Sequence, residues 1–502
     1  MKNDLLKKFF SFSIGGYINI IIGLLTVPVT TRMLSPEQYG IFSLINTIVN
    51  VIAAICYLGL DQGFIRFFYD ENEENRGKLL FESLLFPFVC SIIFSFGILF
   101  FQEKISIFIL GREEVIICKI LILLIITVII NRFALLVIRM KQRGKLYSFL
   151  NVLIKIIEFF SVLILYKFYG NSYKTMVFPF FISLFIVNFL SIFFERKMWL
   201  FTGKLKTSKK ELLCYSFPLS LAIALNWFFV SSDKIMIKFF STINELGLYS
   251  GALKIISLLT IVQTGFTTFW TPVAYEHYTN DPNDTIFFKK AADYLAIVFF
   301  GLGVGILITR NIIILLLGEK YHESIFIMPF LVFIPVMYLL SEVTMVGINF
   351  KKQTKYTFYI AVVVLFINFI GNMILVSYLG AKGAAISTGL SYILFFTLRT
   401  YFSNKLMKFG FDLKRIYLII ILLFIYALVL SFYNDICFNV LTGIILEMII
   451  LYIYFNPIKE VYIKYIKKNI KNIKAKLFFI FLTVLIFSNN FYITLHKLIT
   501  IS

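Results

Sequence analysis

Apolar runs of about 18 to 25 residues, separated by short clusters of lysine and arginine, recur along this chain from residue 9 to residue 455. Wound as a helix rising about 1.5 Å per residue, such a run crosses a hydrocarbon layer about 30 Å thick. Lipid offers no partner to a free backbone N–H or C=O, so the runs must be helical. Strand-like alternation of apolar and polar residues is absent, which argues against an outer-membrane barrel. Charged residues make up only 15% of the 502, against about 25% in a soluble domain.

These runs predict an all-α polytopic membrane protein of about 14 transmembrane helices. The spans lie near 9–33, 39–62, 79–101, 113–139, 146–169, 175–195, 212–239, 246–274, 288–309, 325–349, 356–378, 384–403, 415–433 and 437–455. Thirty Lys and Arg fall in or beside one alternate set of connections, against Lys104, Arg112, Lys167, Lys174, Lys320 and Lys382 in or beside the other. Basic connections stay in the cytoplasm, so the expectation is a multi-pass protein of the cytoplasmic (inner) membrane with its N-terminus inside. Read this way, the net charge of +21 is a set of membrane anchors and no sign of nucleic-acid binding. The first apolar run ends without a small-residue cleavage site and reads as a retained helix.

Beyond Pro457, Ile463, Ile466, Ile470 and Ile473 recur at helical spacing beside an arc of lysines. This predicts a basic amphipathic tail on the anionic leaflet. A final apolar stretch, 477–495, is interrupted by Ser488, Asn489 and Asn490 and reads as a further span or a surface helix. The five cysteines form no C-x-x-C pair and the three histidines are isolated. No disulfide framework, metal site or cofactor is expected.

The segment PEQYGIFSL, from Pro36 to Leu44, aligns with INELGLYSG, from Ile243 to Gly251, at an offset of 207 residues. Gly40 matches Gly247, Phe42 matches Tyr249 and Ser43 matches Ser250. Each segment follows the first span of a set of six. The repeat predicts two pseudo-symmetric six-helix lobes, 1–200 (helices 1–6) and 211–404 (helices 7–12), around a central cavity. Two extra helices occupy 415–455, and the tail occupies 456–502.

Three stretches carry a family resemblance: TRMLSPEQYGIFSL from Thr31, FPLSLAIALNWFFVSSDKIMIKFFSTINELGLYSGALKI from Phe217, and LGAKGAAISTGLSY from Leu379. The chain resembles the polysaccharide and O-antigen flippases of the multidrug/oligosaccharidyl-lipid/polysaccharide exporter superfamily. That resemblance implies a multidrug-and-toxin-extrusion-like fold and export of polyprenyl-pyrophosphate-linked oligosaccharide for O-antigen, capsule or a related glycan. It implies no catalytic residues and no cofactor, so the chain is expected not to be an enzyme.

Such a cargo needs a wet polar path. Each unpaired hydroxyl costs about 4–8 kcal/mol in an alkane-like medium, and isolated charges cost far more. Ionisable residues inside spans are therefore the candidates. Lys155 and Glu158 sit about 14–18 Å into span five and share a helix face. Lys254 lies in span eight, and Arg132 in span four offers a bidentate fork for phosphate. Asn46, Asn50 and Asn226 are candidates for bonding sugars or neighbouring helices. For gating or ion coupling the candidates are Asp61 with Arg66, Asp233 with Arg32 opposite, and Glu342, with a proton or sodium as the coupling ion. Anionic inner-leaflet lipids are the other expected partners. The alternatives are an ion-coupled multidrug exporter, which would need an acidic cavity, and a membrane polysaccharide polymerase or ligase. The second would need a large external loop, and the outer connections are about ten residues or fewer.

Overall fold

A computed structural model describes residues 2–461. The lysine-rich helix after Val461 and the 477–495 stretch lie outside the described residues, as does the side chain of Asn226.

The first half comprises α1 (Lys2–Met33), α2 (Pro36–Tyr57), α3 (Leu60–Phe67), α4 (Arg76–Phe100), α5 (Gln102–Leu110), α6 (Ile116–Met140), α7 (Gly144–Tyr169) and α8 (Lys174–Phe194). Then follow α9 (Lys209–Phe240), α10 (Ile243–Ile256), α11 (Thr260–Asn280), α12 (Thr285–Ile308) and the short α13 (Arg310–Ile313). The second half continues with α14 (Met328–Leu331), α15 (Phe333–Thr344), α16 (Val346–Phe350) and α17 (Thr354–Leu406). Last come α18 (Leu413–Phe432), α19 (Ile436–Ile453) and α20 (Phe455–Val461). No strand occurs among the described residues.

The helix starts follow local chemistry. Ser208, Thr242, Asp284, Asp412 and Asp435 each accept a backbone N–H three residues on. Such a cap contributes about 1 kcal/mol by satisfying an orphan donor of the first turn. Ser35 and Pro36 open α2 by backbone geometry, proline needing no N–H partner at that position.

Among the described residues, ten helices are long and apolar enough to cross a membrane. The number is eleven if Glu319–Phe326 and Met328–Thr344, bent by 63°, form one span. The expected fourteen is not reached by this measure. Three elements explain the difference. Of α1 only Ile21–Met33 enters the measure, α10 and α11 are separated by a 3-10 turn at Ser257–Leu259, and α17 is counted once. Yet α17 doubles back: Ser387 Oγ bonds Asn368 O at 3.1 Å, whereas nineteen residues of straight helix would separate them by nearly 30 Å. The reversal is at Gly380, φ +56°, a conformation that costs a side-chain-bearing residue about 1–2 kcal/mol. Glu245 Oε2 accepts the Ala381 N–H at 2.9 Å and holds the corner.

Within the first half, α1 packs along α7, and α2, α4, α6 and α8 pack on one another. In the second, α17 packs on α9 and α15, while α19 lies along α12. The halves meet where α2 crosses α10. Here Ser250 Oγ donates to Ser43 Oγ at 2.8 Å. A Cβ on Gly40 would run into the Ile243 carbonyl, and one on Gly247 into that of Pro36. Residues equivalent in the sequence repeat thus touch each other, as residues beside a twofold axis do. At the opposite, basic end α9 is tied to the first half. Glu71 accepts the N–H groups of Lys206 and Thr207 at 3.0 and 2.8 Å. Lys209 also pairs with Glu82 at 2.9 Å.

Candidate functional site

The space between the halves gathers charge from both. On α7, Lys155 Nζ lies 2.6 Å from Glu158 Oε2. The lysine side chain is 41% exposed and the glutamate 10%. From the second half, Lys254 of α10 is in electrostatic range of both, and Lys234 of α9 is in range of Lys254. Lys254 is solvent-exposed although charges of both halves surround it, the mark of a side chain facing an internal space. Tyr39 of α2 approaches Glu158 and packs edge-on against Tyr321. Among the described residues neither Lys234 nor Lys254 has a carboxylate in ion-pair contact.

A second cluster is buried inside the second half. Asp233 of α9 is only 6% exposed. Its Oδ2 accepts from Tyr249 at 2.5 Å and Thr388 at 2.7 Å. Its Oδ1 accepts from Asn372 at 2.7 Å and Asn368 at 3.4 Å. All four donors are uncharged. Asn372 Oδ1 is buried with no hydrogen-bond partner. The pocket therefore presents one carboxylate and a spare amide oxygen, a donor set suited to a hard cation or a proton.

Several pairings differ from those expected. Asp61 does not meet Arg66, which pairs with Asp70 on its own helix side at 2.7 Å. Asp61 instead receives Arg132 through Nε at 3.1 Å and Nη2 at 2.7 Å. The bidentate fork predicted for phosphate is thereby spent on a carboxylate. The cause is the α3 turn, which points Asp61 inward at α6 and Arg66 outward. Asp233 does not meet Arg32 either. Arg32 reaches the carbonyls of Leu315 and Leu316 at 3.1 and 3.4 Å and fastens the end of α1 to the other half. Asn46 and Asn50 bond one another along α2 at 2.7 Å. Asn226 lies in α9.

Glu342 pairs with Arg399 at 2.9 Å, whose other bond goes to Ser341 Oγ at 2.6 Å. Arg399, Asn368, Asn372 and Thr388 were missed in the sequence. Arg399 was legible as a charge inside an apolar span. The asparagines were not, because nothing local shows that α17 folds them onto Asp233. Among the described residues no group of three or more His, Cys, Asp or Glu could hold a metal ion.

The comparisons with known proteins fit this architecture. A solved structure titled "Lipid II flippase MurJ, inward closed conformation" superposes with a TM-score of 0.64 at 18% identity. It covers 89% of this chain and 99% of its own. An inward-facing multidrug resistance MATE family transporter of the MOP superfamily gives a TM-score of 0.58 at 14% identity. It covers 78% of this chain and 94% of its own. An outward-facing MATE transporter gives 0.53 at 13%, covering 80% and 96%. At these identities the likeness is one of fold. No curated protein matches the chain. Residues 5–276, more than half the chain, match the family model described as "Polysaccharide biosynthesis protein", and the chain belongs to that family.

Proposed function

We propose that this membrane protein is a flippase that moves a polyprenyl-pyrophosphate-linked oligosaccharide across the cytoplasmic membrane for surface polysaccharide assembly, by alternating access. The observation that carries the reading is the lysine cluster between the halves. Of Lys155, Lys234 and Lys254, only Lys155 has a carboxylate at bonding distance. Two cations are thus left for a diester of pyrophosphate, which carries one negative charge on each phosphate. Their attraction is strong where protein excludes bulk water, while the polyprenyl chain stays in lipid.

Two negative charges moving outward across an inside-negative membrane gain about 2.3 kcal/mol per charge per 100 mV. The opposing cost is release from the lysines. We assign the coupling ion, a proton or sodium, to Asp233, whose shell has no built-in cation. Its helix reaches the first half at the other end through Lys209 and Glu82. Occupancy at Asp233 can therefore bias how α9 leans between the halves. The surplus of basic side chains in the cavity disfavours a cationic drug as cargo. The basic connections support a cytoplasmic N-terminus.

The test is reconstitution in liposomes with a fluorescent polyprenyl-pyrophosphate oligosaccharide. Lys254→Ala and Lys155→Ala should each slow head-group arrival in the far leaflet at least about tenfold, the loss of about 1.4 kcal/mol of binding. Equal rates in empty vesicles, or silence of both variants, would defeat the proposal.

A further inference from the structure

A helix pair outside the inter-lobe cluster, α12 with α19, carries an acid of its own. Glu447 is the twelfth of the eighteen residues of α19 and sits between apolar turns. Its carboxylate oxygens lie 3.6 and 3.9 Å from where a Cβ on Gly301 of α12 would be. The gap left by that glycine admits the carboxyl group to the seam. Among the described residues no cation is within electrostatic range of Glu447 and no donor bonds it. From α18, the facing titratable group is Tyr426, whose hydroxyl is already bonded to Asn439 Oδ1 at 2.6 Å. A bare carboxylate among apolar helices is costly even on the most lenient scales. A carboxylic acid is not.

Toward the basic end the seam continues. Tyr454 follows Glu447 by seven residues, two turns on the same face of α19. Its hydroxyl is buried and has no hydrogen-bond partner. Tyr454 lies in electrostatic range of Asp293 of α12, a second carboxylate only 8% exposed. Asp293 lies eight residues before Gly301, about 12 Å along the helix. Around Asp293 stand Arg415 and Asp412 at the start of α18, Glu460 of α20, and Lys289 on its own helix. Lys290 and Tyr294 hold Glu460 at 2.6 and 3.4 Å at the exposed mouth. The polar groups thus run from the charged surface inward, with an unpartnered hydroxyl beside Asp293.

We propose that Glu447 is a proton-binding site in the seam between α12 and α19, loaded from the basic end by way of Asp293. Asp293 takes a proton from surface water and releases it inward. The Tyr454 hydroxyl, with no partner of its own and in electrostatic range of Asp293, is the next polar group of the seam toward the surface, and water completes the path to Glu447. Glu447 then holds the proton against Gly301, and losing it brings an unpaired charge into the seam that draws in water and parts α12 from α19. Separation of these helices is the structural consequence of ionisation.

The experiment uses the full chain in liposomes and a hydrophobic carbodiimide, which reacts with protonated carboxyls in apolar surroundings. Adducts are mapped by peptide mass spectrometry. Labelling at Glu447 should fall at least tenfold from about pH 5 to about pH 9, the range over which a carboxyl held in apolar surroundings can titrate. Glu447→Gln should remove the adduct while keeping size and hydrogen bonding. The infrared carbonyl band of a protonated carboxyl should vanish from the same variant, a readout independent of chemical access. Asp293→Asn should keep the adduct but slow the loss of the infrared carbonyl band after an alkaline jump. Equal labelling at both ends of the pH range, or no adduct and no infrared band, would overturn the site. An unchanged rate in Asp293→Asn would overturn the route.

Discussion

In the first half, Asp61 receives its strongest bonds from the Arg132 guanidinium; in the second, Asp233 receives four, all from uncharged groups. Both carboxylates are buried. One is bonded to its counter-charge on a neighbouring helix; the other has no cation bonded to it, Lys234 lying only in electrostatic range. A carboxylate held only by dipoles keeps room for an ion or proton that comes and goes, whereas one bound to arginine is neutralised permanently. Glu342 with Arg399 is the second half's own example of the permanent kind. One half therefore contains both solutions, and the difference is the ground on which Asp233 is proposed as a site that changes state.

Four experiments break or sharpen that contrast. The largest effect belongs to Arg399→Met. It strands Glu342 inside the helix bundle and should cost about 3–5 kcal/mol of stability, read as a fall in the detergent thermal transition. If stability is unchanged, the pair is not the closed counterpart of Asp233. Next comes Asp233→Asn, an isostere that still accepts from Tyr249 and Thr388. Stability should change little, while dependence of transport on an imposed ion gradient should drop about 5- to 150-fold, the usual size of a coupling energy. Retained coupling would remove Asp233 from that role. Asp61→Asn should be milder than Arg399→Met, about 1–2 kcal/mol, because Arg132 is 42% exposed and water can take over. Gradient dependence should survive it. A loss of coupling there would erase the distinction between the halves.

The smallest effect lies outside the membrane, at the connection before α12. Asp284 is held below the usual carboxylate range first by the Phe287 N–H and then by His277. An acid with a depressed folded value stabilises above its unfolded value of about 3.9. That contribution is lost as pH falls through the lower folded value. Protection of the Phe287 amide from exchange, relative to its intrinsic rate, should therefore fall only in strong acid. A fall near neutrality would point to His277.

Helical spans, their basic and non-basic ends, and the repeat near Gly40 and Gly247 were all legible, since each rests on local composition or spacing. Lys155 with Glu158 was legible for the same reason: three residues apart, they share a face in any helix. Partners from different spans were not. Asp61 was matched with nearby Arg66, yet it bonds an arginine 71 residues away. Arg132 was read as free for phosphate for the same reason.

The sequence alone determined that this chain crosses a membrane as helices and does so twice over in related halves. Apolar length and charge clustering are properties of each segment, and lipid leaves the backbone no alternative to the helix. Only the tertiary structure decided which buried charges are neutralised and which stay open. That outcome depends on the reversal at Gly380, which brings Asn368, Asn372 and Thr388 around Asp233, and on α3 turning Asp61 toward α6. Electrostatic pairing is set by distances of a few ångströms between helices, and no periodicity along one helix contains them.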